Sequence, residues 1–264
     1  MDTITIFYPM YNEEACLKRA VEAAQEVGDL MSAEGEISDY EILLIDDAST
    51  DSTGRLADEL SAKDPRVKVV HHQTNCGLGG SMKSGFANAG MDVILYSDAD
   101  LPFDMMELRK AYRLMRYYEA DVVSAFRFDR TGEGLRRLIY SNAYNALIKT
   151  FFHLRVKDVN FSFKLARRDI FKEITLKSEG SFIDAELLIK ASRYGFKIIQ
   201  FGTDYFPRSR GVSRLSSLGV IVKILKEMFW LRREIKAIVP VVKVGVGFIR
   251  PAGSINRAPT RNDK

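Results

Sequence analysis

The chain has 264 residues, 46% of them hydrophobic and 28% charged, enough for one large domain or one domain with an appendage. Its net charge of +4 is unevenly spread: residues 208–264 hold 13 Lys/Arg against three acids, net +10, and residues 1–207 hold 26 against 32, net −6. An acidic body without a nucleic-acid motif excludes a nucleic-acid-binding role, and the basic end points to anionic lipid headgroups or to a solubilising tail.

The chain opens with a predicted strand over 4–9, ended by Pro9. Tyr11-Asn12-Glu13-Glu14 leads into a helix over 13–31, with Leu17, Ala20, Val21 and Ala24 at helical spacing. A second strand, 40–45, ends at Asp46-Asp47. Ser49 to Ser52 supply capping chemistry for a helix over 53–62, and Asp51 is a candidate cap. A third strand spans 67–71; a glycine-rich turn, 75–80, precedes a helix over 81–89. A fourth strand, 93–96, ends at Asp98-Ala99-Asp100, followed by a helix over 104–118 and a strand over 121–125. This alternation predicts an α/β fold, a mostly parallel sheet flanked by helices. Runs such as I-L-L-I and V-I-L-Y suit a sheet buried on both sides.

Beyond 125 the rhythm changes. Helices are expected over 134–153 and 183–194, and strands over 161–165 and 198–201. Residues 215–239 read as one or two amphipathic helices, too interrupted by Lys223, Lys226, Arg232 and Arg233 to span a bilayer. The expected organisation is a catalytic domain over 1–210, interface helices over 211–240 and a basic, flexible tail over 241–264. Cys16 and Cys76 lack metal-ligand spacing and read as free thiols in a reducing compartment. No apolar block with a cleavage site follows Asp2, so a cytoplasmic location is expected.

In open parallel sheets, ligands sit outside the C-terminal strand ends. Residues 9–12, Asp46-Asp47, 77–80 and 98–100 all fall there. Asp98 and Asp100 suit a hard cation, Mg²⁺ or Mn²⁺, which prefers carboxylate oxygens and keeps positions open for phosphates. The segment N-C-G-L-G-G, 75–80, is neither a P-loop nor a dinucleotide fingerprint. Its glycines either let backbone approach a nucleotide, open the next helix, or make a tight turn with no ligand. Asp46 or Asp47 is placed to accept hydrogen bonds from a base or ribose edge.

Y-N-E (11–13), D-D-A-S-T-D (46–51), N-C-G-L-G-G (75–80) and D-A-D (98–100) occur in this order at strand ends. Together they resemble the inverting GT-A glycosyltransferases of family two, within it the dolichyl- or polyprenyl-phosphate mannosyltransferase branch. The branch's Arg and Ser four residues apart correspond to Arg137 and Ser141, and its F-x-x-R-x-x-G-x-S-[KR] element to F-P-R-S-R-G-V-S-R, 206–214. Residues 161–165 and 184–186 also fit. Two positions depart: Ala48 stands where glycine is usual, and Pro102 where Gln or His is common.

The resemblance implies a metal-dependent hexosyltransferase with Mg²⁺ or Mn²⁺ on Asp98 and Asp100. It implies nucleotide-sugar contacts from Pro9, Tyr11, Glu13, Asp46, Asp47, Gly77, Gly79, Lys83 and Asp98. It implies an acceptor-phosphate site of Arg137, Ser141, Arg208 and Ser213, and a catalytic set of Asp100, Asp184, Arg127, Arg137 and Arg208. A polyprenyl phosphate acceptor is already anionic and needs only cations to hold it. A sugar or small-molecule hydroxyl needs a base, for which Asp184 or Glu186 is the candidate. Their structural alternatives are a helix cap at Asp184 and an i, i+4 pair of Glu186 with Lys190. A further alternative is an inactive nucleotide-sugar or membrane-binding module. Leu218, Ile221, Val222, Leu225, Phe229 and Trp230, interleaved with lysines and arginines, predict a helix lying on a membrane surface, or packed on a membrane partner, the body or a twin subunit.

Overall fold

A computed structural model describes residues 1–129, 135–206, 218–240, 242–244 and 247–249, with side chains omitted for 135–140, 218–223 and 242–249. Its elements are β1 (Thr3–Met10), α1 (Glu14–Ala33), β2 (Asp39–Asp46), α2 (Thr53–Lys63), β3 (Val67–His71), α3 (Gly77–Asn88), β4 (Val93–Ser97) and α4 (Glu107–Tyr117). They continue with β5 (Val122–Arg127), α5 (Leu135–Phe152), β6 (Phe163–Arg167), a 3₁₀ turn (Arg168–Lys172), α6 (Ile183–Tyr194), β7 (Ile198–Thr203), α7 (Leu218–Lys236), β8 (Val242–Val244) and β9 (Gly247–Ile249).

Seven strands form one sheet in the order β3-β2-β1-β4-β6-β5-β7. All are parallel except β6, which runs antiparallel between β4 and β5. Strand β1 shows why its sequence is continuously apolar. Ile4, Ile6 and Tyr8 face one layer, with Leu17, Val21 and Ala24 of α1 and Leu108, Ala111 and Met115 of α4. Phe7 faces the other, with Met82 and Phe86 of α3 and the buried residues of α6 and α7. Each face is covered, so neither can afford an alternating polar row.

Helix α3 begins at Gly77, four residues before the expected start, because the glycines 77, 79 and 80 belong to its first turn. Residues 218–236 form one helix, not two. Among residues 241–264, where a flexible tail is expected, β8 and β9 pair as a small antiparallel hairpin. Among the described residues no helix is long and apolar enough to cross a membrane.

Candidate active site

The loops after β1 and β2 are knitted together. Asn12, at φ +60°, accepts the Thr50 N–H at 2.8 Å and donates to Thr50 Oγ1 at 3.1 Å. Asp51 accepts the N–H of Thr53, the first residue of α2, at 2.9 Å, which is the capping role expected of it. Ala48 sits at φ +57°, a left-handed conformation. That is the physical reason glycine is the easy residue there; a Cβ in this region costs roughly 1–2 kcal/mol.

Both carboxylates at the end of β2 are taken up by the chain itself. Asp46 accepts the Ser49 N–H at 3.0 Å and lies 2.9 Å from His71 Nδ1. Burial alone would raise its pKa, but these hydrogen bonds outweigh it and hold the carboxyl below the usual range. Asp47 accepts the N–H groups of Cys76 at 2.7 Å and Gly77 at 2.8 Å, and lies 2.7 Å from His72 Nδ1. It therefore caps α3 across 30 residues of sequence, at the pole where helix N–H groups favour an anion. Gly79 is packed against the loop before α6: a Cβ there would meet Ser178 O at 2.4 Å and Glu179 Cα at 2.5 Å. The loop before α6 packs directly on α3. Pro9, Tyr11, Glu13 and Lys83 lie on or beside the same rim, Tyr11 exposed and the others half-buried.

At the end of β4 the balance differs. Asp98 and Asp100 are half-buried in a turn closed by Leu101 N–H to Asp98 O, with Leu101 at φ +52°. Asp98 Oδ1 accepts the Tyr96 hydroxyl at 3.2 Å. The inserted strand β6 sets Lys164 directly across from Tyr96, so the two side chains share a sheet face. Helix α6 delivers Asp184 to that face, its Oδ1 3.5 Å from Lys164 Nζ. Lys164 also donates to the Phe161 carbonyl. Loss of water lifts Asp184 to about 6 and lowers Lys164, each against the pull of the other's charge. The shared cause pushes the pair toward its uncharged form. Burial holds the Tyr96 phenol well above its ordinary value, and the charges of Asp98, Asp184 and Asp100 add to the rise. Three carboxylates thus act on one buried phenol. Tyr144, on α5, brings a buried hydroxyl that feels Asp184 and Glu227 in the same way, after burial.

The remaining expected residues divide. Arg127 is forked onto Asp158, Nε to Oδ2 and Nη2 to Oδ1 both 2.6 Å, with side-chain exposures of 7% and 6%. Its guanidinium lies 5.0 Å from the centre of the Tyr205 ring. Glu186 takes its structural alternative. It is fully buried, pairs with Lys190 at 2.7 Å and accepts the N–H groups of Lys177 and Ser178. Lys190 continues to Glu234 of α7 at 3.2 Å, so the pair fastens α7 to the body. Asp184 makes no side-chain cap of α6. Ser141 is half-buried on α5, Arg137 lies on the same helix with its side chain outside the description, and Arg208 and Ser213 lie outside the described residues.

A family model for glycosyl transferase family 2 matches residues 5–175. The chain belongs to this family. It is 30% identical over 202 residues to polyprenol monophosphomannose synthase of Mycolicibacterium smegmatis, covering 72% of this chain and 75% of that one. It is 29% identical to undecaprenyl-phosphate mannosyltransferase of Micrococcus luteus, over 82% and 88% of the two chains. It is 29% identical to the glycosyltransferase AglD of Haloferax volcanii over 78% of its own length, but spans only 33% of AglD. Among solved structures, glucosyl-3-phosphoglycerate synthase of Mycobacterium tuberculosis with Mn²⁺, UDP-glucose and phosphoglyceric acid superposes with a TM-score of 0.63, at 21% identity, over 85% and 79% of the chains. The mannosyltransferase PcManGT of Pyrobaculum calidifontis, with GDP-mannose and Mn²⁺, gives 0.60 at 14% identity, over 89% and 68%. The likeness is one of fold: this chain has the mixed α/β GT-A-like arrangement, with a seven-stranded central sheet.

Lys164, Tyr96 and Tyr144 escaped the sequence reading. Lys164 left one signal, a lysine inside the apolar run F-S-F-K-L. The tyrosines left none, since a tyrosine at a strand end or on a helix is ordinary core material.

Proposed function

We propose that this family 2 glycosyltransferase moves a hexose, of mannose or glucose type, from a nucleotide-diphosphate sugar to a polyprenyl phosphate, with inversion at the anomeric carbon. The observation that carries the donor half is the placement of Asp98 and Asp100 in one turn at the end of β4, with the Tyr96 hydroxyl on Asp98. Their donors are carboxylate oxygens, which suit a hard divalent cation held by Asp98 and Asp100. Bound there, Mg²⁺ or Mn²⁺ supplies positive charge against the leaving diphosphate. Asp98 is oriented by Tyr96, and Asp184 lies beside Lys164.

Two observations support the acceptor half. Relatives covering most of this chain carry names that specify polyprenol and undecaprenyl phosphate. Helix α7 also presents a fitting surface. It buries Ile224, Met228, Leu231 and Ile235 and leaves Phe229 and Trp230 exposed at 56% and 69%, beside exposed Lys226, Arg233 and Lys236. Aromatic rings with flanking cations favour the boundary of an anionic leaflet. Peripheral association would bring the rim to its lipid substrate, and Arg137, Ser141, Arg208 and Ser213 are the residues we assign to the acceptor phosphate.

A second reading rests on Asp184, whose pKa of about 6 is that of a poised general base. In that reading the acceptor is a saccharide or small-molecule hydroxyl. Thermal shift with UDP, GDP and CDP, with and without Mn²⁺, tests the donor half, because a ligand of the folded state raises apparent stability. A metal-dependent rise with one nucleotide is expected; no rise with any would sink the donor site. Transfer into vesicles containing polyprenyl phosphate then separates the acceptors. Wild-type transfer into those vesicles that survives Asp184→Asn supports the lipid phosphate; no wild-type transfer there, with transfer to a saccharide hydroxyl that Asp184→Asn abolishes, supports the hydroxyl.

A further inference from the structure

The end of β2, the residue after β3 and the start of α3 bring together three donors of different chemistry. Asp47, His72 and Cys76 each offer one ligand atom, and the three atoms lie within 4.8 Å of one another. Linear spacing gives no hint of this, since Asp47 stands 25 residues before His72.

The cluster is built, not scattered. Asp47 and His72 are 3% and 12% exposed and joined Oδ1 to Nδ1 at 2.7 Å. Only Cys76 is exposed, so the group has a closed floor and an open mouth. The other imidazole nitrogen, Nε2, lies 2.8 Å from Ser84 Oγ of α3. Such an outer partner fixes the ring's orientation and tautomer, as it does for metal-bound histidines. The helix also makes room for the sulfur: a Cβ at Gly80 would meet the Cys76 Cβ at 2.3 Å. The thiol now turns to the Thr74 carbonyl at 3.3 Å, a weak hydrogen bond that is easily given up.

We propose that Asp47, His72 and Cys76 form a binding site for a borderline-soft divalent cation, Zn²⁺ in particular, separate from the hard-metal pair Asp98 and Asp100. The donor set of one carboxylate oxygen, one imidazole nitrogen and one thiolate matches Zn²⁺ and not Mg²⁺. Three protein ligands leave a fourth position open to water or a ligand. Binding displaces the proton that a neutral His72 holds on Nδ1 toward Asp47; that proton passes by solvent exchange to Nε2, and the thiol proton of Cys76 is released to solvent. His72 then binds through Nδ1 and donates its Nε2–H to Ser84. Asp47 keeps Oδ2 on the Gly77 N–H at 2.8 Å, so that half of the α3 cap is retained, while Oδ1, which also accepts the Cys76 N–H at 2.7 Å, becomes the metal-binding oxygen. The bound ion would cross-link β2, β3 and α3, three elements of the rim.

The test uses Co²⁺ as a spectroscopic stand-in for Zn²⁺ on the full chain after chelator treatment. A thiolate-to-cobalt absorption band is expected, saturating at one equivalent. It should vanish in Cys76→Ser and persist in the Asp98→Asn/Asp100→Asn double variant. Ser84→Ala should keep the band and weaken binding by about 10–100-fold. Zn²⁺ should raise the melting temperature of the wild type and not that of Cys76→Ser, which reports on folding and site together. A wild type without the band, or a band surviving Cys76→Ser, overturns the proposal. The readout is independent of transfer activity, so failure here leaves the transferase reading standing, and the reverse.

Discussion

Asp46 and Asp47 at the end of β2 are met by backbone N–H groups and imidazoles of their own chain, whereas Asp98, Asp100 and Asp184 around the end of β4 face a phenol and one buried lysine. Both groups are carboxylates clustered where parallel strands end. In the first, backbone N–H groups and imidazoles already satisfy the carboxylate oxygens, and the corner fastens α2 and α3 to the sheet. In the second, burial raises the pKa of Asp184 and of the Tyr96 phenol, and Asp98 and Asp100 lie half-buried beside them. A carboxylate's usefulness to a ligand depends on how many donors its own fold has already supplied.

The contrast is sharpest under truncation. Asp98→Ala should lower transfer by about 10²–10³-fold, the effect of losing a charge-stabilising group at a reacting centre, while the melting temperature holds or rises. Steady-state rates beside a melting curve check this; a parallel loss of stability would make Asp98 structural. Asp47→Ala should do the reverse in kind. It orphans the N–H groups of Cys76 and Gly77 and should cost about 1–3 kcal/mol of unfolding free energy in urea. Unchanged stability with lost nucleotide binding would instead put Asp47 among the donor's contacts.

The sequence carried most of the frame and about half of this contrast. Continuous apolar strands and capped helices are local signals, so the βα alternation through β5 was legible to within a few residues. Position 48 was legible as unusual, and the fold supplies the reason in a positive φ. What stayed hidden is non-local. Nothing near Asp47 foretells that residues 76 and 77 turn back to cap on it. Nothing near Arg127 foretells Asp158, 31 residues on, which takes up the guanidinium. The antiparallel insertion of β6 has the same character. It is a choice of strand order, and it alone carries Lys164 to Tyr96. The Glu186–Lys190 pair was visible as an i, i+4 option because both partners share a helix turn.

The smallest effect probes the corner after β2 through pH. His71 has both ring nitrogens on carboxylates, Nδ1 2.9 Å from Asp46 Oδ2 and Nε2 3.0 Å from Asp58 Oδ1. Asp58 first and Asp46 second raise its pKa above the ordinary 6.5, against a smaller opposing effect of burial. An imidazolium can donate to both, a neutral ring to one. The folded state therefore holds more protons than the unfolded chain between 6.5 and its own higher pKa. The stabilisation is complete below the unfolded value and is lost as pH rises through the folded one. The ring is partly exposed and solvent screens it, so the effect should not exceed about 1 kcal/mol. Asp184, at the site after β4, also loses stability with rising pH, its pKa being raised to about 6, so a single melting profile mixes the two. Subtracting the urea curves of His71→Gln from those of the wild type, with chelator present, removes the Asp184 contribution. The wild-type advantage should be largest at the acid end of the series and shrink toward zero as pH climbs past the folded pKa. An advantage that grows with pH would mean that His71 is held neutral in the corner after β2.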